Sequence, residues 1–366
     1  NAPVNLWKFD FTDNAWFRPD LLIQVAEFLG IPREEVLQSP TLQNYSDLPE
    51  NISNKLCKAL LLRYSVNTLS KNFNYSKKYF EFCVKHKKKC LPIKQSFIEY
   101  FLIQLSEKDH SYSSIECYLD GIKFSSSFFG FPNQFSKSLS DIRLFLKKVC
   151  NLNKSERKGL DKEMLNKIWE KVNNSGGIKN LSALDLRTFM HINFAYHTLA
   201  RYDCASQVKI GDLKFKNDHF EITIRKSKTD QAAEGQKVYL VSRNDNCPMK
   251  MLCHYIHHLN VNDNNSYLFS PLKWDKAKKE WIPNSSKVLS YTAAYKNFKQ
   301  FLTKFNLDPK NLSLHSMRIG STTDCFNAKM PSHIIDQRGR WKHPDTKYRY
   351  VKNRDQDIIF YTRQLC

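Results

Sequence analysis

Gly339-Arg-Trp-Lys-His-Pro-Asp-Thr-Lys-Tyr-Arg-Tyr350 is preceded by His315-Ser-Met-Arg318, and these two stretches carry most of the information in the back half of the chain. His315 and Arg318 are about one helical turn apart, so on a helix their side chains share a face. Further upstream, Arg201 ends an apolar helical stretch, Phe194-Ala-Tyr-His-Thr-Leu-Ala200. Lys226 and Lys228 fall in a Lys-Ser-Lys-Thr tip at the end of a β-hairpin strand. Each of these residues has an ordinary structural reading by itself. An arginine at a helix end suits the helix dipole, His315 can neighbour a helix cap, Trp341 can fill a core, and Tyr350 is one of 17 tyrosines. Their joint order argues against coincidence.

The bulk numbers limit the alternatives. The chain has 366 residues, enough for two domains or two plus an extension, and 41% hydrophobic residues, enough for real cores. Its formal net charge is +21, which predicts attraction to a polyanion: nucleic acid or an anionic membrane surface. No apolar run reaches the roughly 20 residues that span a bilayer, and no signal-peptide core opens the sequence, which favours nucleic acid. The sequence starts at Asn1 rather than Met, so a targeting segment can have preceded it. The ten cysteines are scattered in mostly apolar contexts, as expected of reduced thiols in an intracellular protein. The cluster Cys247-Pro-Met-Lys-Met-Leu-Cys253-His254 fits no common zinc spacing and reads as core thiols on a helix that buries Leu252, Tyr255, Ile256 and Leu259.

Three segments follow from periodicity. Residues 1–50 form an N-terminal helical extension with one convincing helix from Asp20 to Leu29, stopped by Gly30. This extension suits protein packing as well as DNA contact. Residues 51–152 are helical throughout, with apolar spacing in 56–64, 70–83, 93–105, 113–129 and 139–150, and a helix start at Ser111. Between two of these helices runs Lys85-His-Lys-Lys-Lys89. It is either a solvated loop or, through Lys85, Lys87, Lys88 and Lys89, a phosphate contact. After a polar linker at 151–162, residues 153–366 form a mixed domain. Helices are expected at 162–173 and 181–199. Leu213 to Phe215 and Phe220 to Ile224 alternate around an Asn217-Asp218 turn, a further strand covers Val238 to Val241, and helices return from 247. The fold class is thus mainly α with a small β-hairpin or sheet in the second domain (α+β).

Two arginines, a lysine and a histidine form a set suited to phosphodiester exchange. Guanidinium forks match the charge on non-bridging oxygens. Lysine or histidine can protonate a leaving 5′ oxygen or accept the nucleophile's proton, and a tyrosine can attack as a covalent nucleophile. The order and spacing resemble the tyrosine recombinase family over roughly residues 51–366. Its first box is similar to Leu199-Ala-Arg201 followed by Lys209-Ile-Gly-Asp-Leu213, and its hairpin lysine matches Lys228 better than Lys226. Its His-x-x-Arg box is His315-Ser-Met-Arg318, and its histidine-or-tryptophan position is similar to Trp341. Tyr350, nine residues after Trp341, holds the nucleophile's place rather than Tyr348. Gly339-Arg-Trp with Tyr-x-Tyr looks most like recombinases of eukaryotic mobile elements, the Crypton and Ngaro/DIRS-like groups.

The resemblance implies a helical core-binding domain and a catalytic domain that clamp double-stranded DNA in a C-shape. It implies site-specific cleavage and rejoining through a 3′-phosphotyrosine, without cofactor, metal or ATP, in a nuclear homo-oligomer: a dimer on one site, a tetramer on paired sites. Tyr350, Arg201, Lys228, His315, Arg318 and Trp341 would form the catalytic set, with Lys226 and Arg340 on DNA. An indole donates a hydrogen bond but cannot shuttle protons, so Trp341 suits binding and packing. The segment 355–366 either packs on its own domain or docks on a neighbouring protomer. One departure stands out: the family usually has Asp or Glu three residues beyond the first arginine, and here Cys204 stands there. Three rivals remain: a catalytically silent, domesticated DNA-binding protein, a type IB topoisomerase, and a metal-dependent nuclease, for which no clustered carboxylate set is evident.

Overall fold

A computed structural model describes residues 20–46, 48–49, 52, 55–56, 59, 64–133, 136–150, 157–225, 235–260 and 263–351. The chain divides into two compact units, residues 1–154 and 155–366. Most of the helix expected at 56–64, most of the linker, the Lys226–Lys228 tip and the segment 355–366 lie outside the described residues.

The first unit is helical. Its described helices are α1 (Asp20–Leu29), α2 (Arg33–Leu37), α3 (Pro40–Ser46), α4 (Val66–Lys85), α5 (Gln95–Glu107), α6 (Tyr112–Phe128) and α7 (Lys137–Val149). Local sequence explains where they start. Ser65 Oγ accepts from Thr68 N at 3.2 Å and Ser111 Oγ accepts from Ser114 N at 3.3 Å, each satisfying an orphan donor of the first turn. Leu22, Val25 and Leu29 of α1 enter the same core as Phe73 and Phe80 of α4, Leu102 of α5 and Ile122 of α6. The described part of the N-terminal extension therefore packs on the helices that follow it. Glu35 ties α2 to the loop after α4 by accepting from Cys90 N and Leu91 N at 2.7 and 2.8 Å. Lys85, Lys87, Lys88 and Lys89 stand exposed just before that anchor.

The second unit comprises α8 (Lys162–Asn174), α9 (Ala183–Thr198), α10 (Tyr202–Ser206), β1 (Leu213–Phe215), β2 (His219–Ile224), β3 (Gln236–Val241) and α11 (Pro248–Leu259). It continues with β4 (Leu272–Asp275), β5 (Glu280–Pro283), α12 (Tyr291–Lys304), α13 (Ser316–Asn327), α14 (Ser332–Gly339) and a 3-10 turn (Pro344–Arg349). The order β1-β2-β3 is antiparallel, with Phe215 opposite Phe220 and Ile222 opposite Val238. Phe220, Ile222 and Ile224 are buried, as their alternation with polar residues predicts. Helix α9 is the centre of the domain: nearly every residue from Asp185 to Thr198 is buried.

Two expectations need correction. The chain does not return only to helices after 247, because β4 and β5 pair as a second hairpin with Trp274 opposite Trp281. Its strands, Leu-Lys-Trp-Asp and Glu-Trp-Ile-Pro, are only four residues long, so a period-2 pattern has too few positions to show. The thiols of α11 are not both in the core either. Cys247 is buried, but Cys253 follows the inward Leu252 by one position and faces solvent.

Residues 158–160 cross the start of α13 at backbone contact. Leu160 N donates to Ser316 O at 2.8 Å, and a Cβ on Gly320 would sit 1.8 Å from Leu160 O. Only glycine admits that approach. Gly320→Ala should therefore lower stability by about 3 kcal/mol or more, read as a fall in thermal midpoint, because two backbones must separate.

Candidate active site

The site is assembled from chain ends. Helix α9 stops at Leu199, which takes a left-handed conformation (φ 52°) and turns its carbonyl away from the helix axis. Arg318, in the first turn of α13 and fully buried, donates from Nη1 to that carbonyl and from Nη2 to Gly339 O at 2.5 Å. Arg340 donates from Nη2 to Leu199 O at 3.3 Å and from Nη1 to Thr198 O at 3.1 Å. Arg338 donates to His197 O at 2.9 Å. Three guanidinium groups thus satisfy the orphan carbonyls at the negative end of the α9 dipole.

Arg340, expected to contact DNA, is 4% exposed and donates from Nη1 and Nη2 to carbonyls at the end of α9. Burial lowers its pKa, with Cys204 opposing and the nearby Arg201 charge adding to the effect.

Around Arg318 gather the other predicted groups. Its guanidinium carbon lies 4.5 Å from the Trp341 ring centre and 5.3 Å from that of Tyr350. The rings of Trp341 and Tyr350 are 5.4 Å apart, and those of His315 and Tyr350 also 5.4 Å. Arg201 caps the start of α10, where its carbonyl accepts from Cys204 N and Ala205 N. Tyr348 instead packs on Phe326, at 5.6 Å, and stays exposed. The structure therefore separates the two tyrosines as the nine-residue spacing from Trp341 does. The indole lies over Gly339, where a Cβ would meet its ring at 2.0 Å. That close approach explains a glycine two residues before the tryptophan.

Arg201 Nη1, Arg318 Nε and Trp341 Nε1 are buried without a hydrogen-bond partner. Unpaired buried donors are costly, and each of these three nitrogens can donate to an acceptor oxygen. Arg318 is pushed to a lower pKa by burial and then by the Arg201 charge, with the Tyr350 phenol opposing. His315 falls to about 4, first through burial and then through Arg318, Arg201 and Arg157, so its imidazole is neutral at neutral pH. Cys204, at the usual acidic position, is buried in the domain core. Asp203 beside it is exposed, facing away from that core.

Lys226 and Lys228 lie outside the described residues, on the connection between β2 and β3. The strand end that leads into them is pinned, because Arg225 Nε donates to the buried Asp212 at 2.5 Å. Asp212 belongs to the Lys209–Leu213 stretch of the first box and also accepts from Lys209 N at 2.9 Å.

Sequence reasoning missed one pair. Lys347, 1% exposed, donates to Asp336 Oδ2 at 2.5 Å and so ties the turn that carries Tyr350 to α14. Thr323 adds a bond from Oγ1 to Tyr350 O at 3.2 Å. A buried lysine opposite a carboxylate on another element leaves no local signal, since the two residues share no helical or strand period. Among the described residues no group of His, Cys, Asp or Glu is arranged to hold a metal ion, and no helix is long and apolar enough to cross a membrane.

This site on this fold agrees with comparison to known proteins. The chain belongs to the phage integrase family, whose sequence model matches residues 158–357. No curated protein matches it. Among solved structures, the fold is similar to XerH site-specific recombinase bound to palindromic difH substrate (TM-score 0.56, 16% identity, covering 96% of this chain and 97% of that one). It is also similar to the Tn1549 transposon integrase in complex with transposon right end DNA (0.51, 13%, 93% and 99%). A lambda integrase dimer bound to a COC' core site gives 0.52 at 12% identity, covering 82% of this chain and 76% of that one. The fold is that of the tyrosine recombinases.

Two outcomes test the geometry. Lys347→Met, which leaves Asp336 facing a buried apolar group, should destabilise the second unit by about 2–4 kcal/mol, measured by chemical denaturation. His315 titrates near 6.5 when unfolded and about 4 when folded, so the unfolded chain binds more protons in that window. Stability contributed by the neutral imidazole is present above about pH 6.5 and is lost as pH falls toward 4. His315→Asn should flatten that part of the thermal midpoint against pH; an unchanged slope would contradict the buried neutral state.

Proposed function

We propose that this protein is a site-specific DNA recombinase that cuts and rejoins duplex DNA through a phosphotyrosine on Tyr350. The observation that carries the reading is the convergence of Arg201, His315, Arg318, Trp341 and Tyr350, from separate stretches of chain, around buried donors without partners.

In this reading a scissile phosphate sits against Arg201 Nη1, Arg318 Nε and Trp341 Nε1. The phenolic oxygen of Tyr350 attacks phosphorus, and the bond to the 5′ oxygen breaks. The neutral His315 is placed to take the phenolic proton, and Lys228, carried over from the family resemblance, gives a proton to the departing oxygen. The products are a 3′-phosphotyrosine and a free 5′-hydroxyl. Attack by the 5′-hydroxyl of a partner strand reverses the step, so one phosphodiester is exchanged for another and no energy source is consumed. The relatives XerH, Tn1549 integrase and lambda integrase were each solved on DNA, which supports a duplex partner. Exchange of both strand pairs calls for a dimer on each site and a tetramer on paired sites. The Gly339-Arg-Trp341 and Tyr348-Arg-Tyr350 pattern supports service to a eukaryotic mobile element of the Crypton or Ngaro/DIRS-like kind, and hence a nuclear location.

The direct test uses a nicked duplex bearing a site that the protein itself selects from a random pool. The unmodified protein and Tyr348→Phe should trap a covalent DNA adduct, and Tyr350→Phe should trap none. Arg201→Gln should slow adduct formation by about 10²–10³-fold with little change in thermal midpoint, since the buried Nη1 it removes holds no protein partner. Arg318→Gln should lose both rate and stability, because it also secures Leu199 and Gly339. Adducts on Tyr350→Phe would sink the assignment.

A further inference from the structure

The hairpin of β4 and β5 plays no part in the site above, yet it is the most conspicuous exposed element of the second unit. Trp274 and Trp281 face each other across it, 49% and 52% exposed, with ring centres 5.5 Å apart at 68°. No residue from 271 to 283 is buried; Leu272, Ile282 and Pro283 are half-buried at the root, where β5 lies against α9, and the residues from Lys276 to Trp281 are exposed. Its tip carries Lys276, Lys278 and Lys279, and Lys273 lies on a strand. The two acidic residues do not neutralise them: Asp275 is used to accept from Ala277 N and Lys278 N, and Glu280 meets Lys278 only at 4.0 Å. Cross-strand tryptophans stiffen a hairpin, which accounts for the pair but not for lysines clustered at its tip.

The root of the hairpin is held firmly. The buried Arg187 of α9 donates from Nη1 to Ser270 O at 2.8 Å just before β4, and Asn284 N donates to Pro271 O at 2.7 Å across the base of the two strands. A lysine-tipped ribbon with an exposed tip is therefore rooted on the central helix of the domain.

We infer that this hairpin is a DNA-reading ribbon that enters the groove of the duplex flanking the cleavage site, with the tip lysines on phosphates or guanine edges and the indole pair against the groove wall. The inference rests on the recombinase reading for the position of the DNA. A two-stranded ribbon fits the major groove of B-form DNA, and the half of this one that carries the lysines and Trp281 is exposed. The charge of the tip complements a polyanion. The two indoles already touch edge to face, which leaves no slot between them for an unpaired base and favours duplex over single-stranded DNA.

The test compares the full-length protein with Lys276→Gln/Lys278→Gln/Lys279→Gln and with Trp274→Ala/Trp281→Ala, using a fluorescein-labelled random-sequence duplex and a single strand of the same sequence. Anisotropy titrations over a salt series give the slope of log affinity against log salt. The lysine variant, which keeps the tryptophan pair and should keep the unmodified thermal midpoint, should reduce the duplex slope by about 2–3, close to one counterion per contact. Both variants should lose protection of guanine N7 from dimethyl sulfate on the selected site, while the adduct formed per bound protein on the nicked duplex stays as in the unmodified chain. An unchanged slope and unchanged protection would overturn the inference, as would weakening confined to the single strand. Equally fatal would be intact DNA binding with a shift in sedimentation, which would make the hairpin a contact between copies. If the unmodified protein traps no adduct but the lysine variant still lowers the duplex slope, the catalytic reading fails and the ribbon stands.

Discussion

The C-terminal turn of α9 is the constraint on which the rest of the second unit depends. A helix end leaves carbonyls without partners, and inside a protein such groups must be satisfied. Here His197, Thr198 and Leu199 are satisfied by Arg338, Arg340 and Arg318, which come from α13 and from the end of α14. Each bond is charge-assisted and lies at the negative pole of the helix. The same bonds draw the helix that begins at His315 and the turn that ends at Tyr350 toward Arg201. The geometry of the candidate site is thus a by-product of how one helix is capped.

That solution leaves an imbalance. Burial and then the Arg201 charge lower the pKa of Arg318 and of Arg340, neither of which donates to a carboxylate, and the position where the family usually has an acid holds Cys204. Carbonyl dipoles and two aromatic faces offset part of the repulsion, the Trp341 and Tyr350 rings both lying within 5.3 Å of the Arg318 guanidinium. An arrangement of this kind sacrifices stability locally and gains a preorganised positive pocket, the condition for strong stabilisation of a charged transition state. The Lys347–Asp336 pair has a different task. It orders the turn that carries Tyr350, because a tyrosine on a short terminal turn has few contacts of its own to hold it.

Much of this was legible from sequence because the underlying signals are local. The period-2 pattern of Phe220, Ile222 and Ile224 and the serine caps at Ser65 and Ser111 depend on neighbours a few residues away, and they appear where the patterns place them. His315 and Arg318 share a face because three residues make nearly one helical turn. Where neighbours are remote, sequence reading failed. Arg340 reads as a surface cation, yet the left-handed turn at its own position aims it at the end of α9. The β4–β5 hairpin offers only two four-residue strands, too short for its apolar positions, Leu272, Trp274, Trp281 and Pro283, to stand out as a period-2 pattern. Cys253 was misassigned by a single helical step.

What the sequence by itself determined is the inventory and its order: a strongly basic chain, an α-rich fold with a small antiparallel sheet, and a tyrosine nine residues beyond a tryptophan. These follow from residue type and short-range period, which are written in the chain. The tertiary structure decided which cations are free and which are spent. Of three arginines that look alike in one dimension, Arg340 is bound to helix carbonyls, Arg318 is divided between carbonyls and the site, and Arg201 keeps a buried nitrogen without a partner. The physical reason is that hydrogen-bond satisfaction is settled by distance in space, and the partners here lie more than a hundred residues away along the chain.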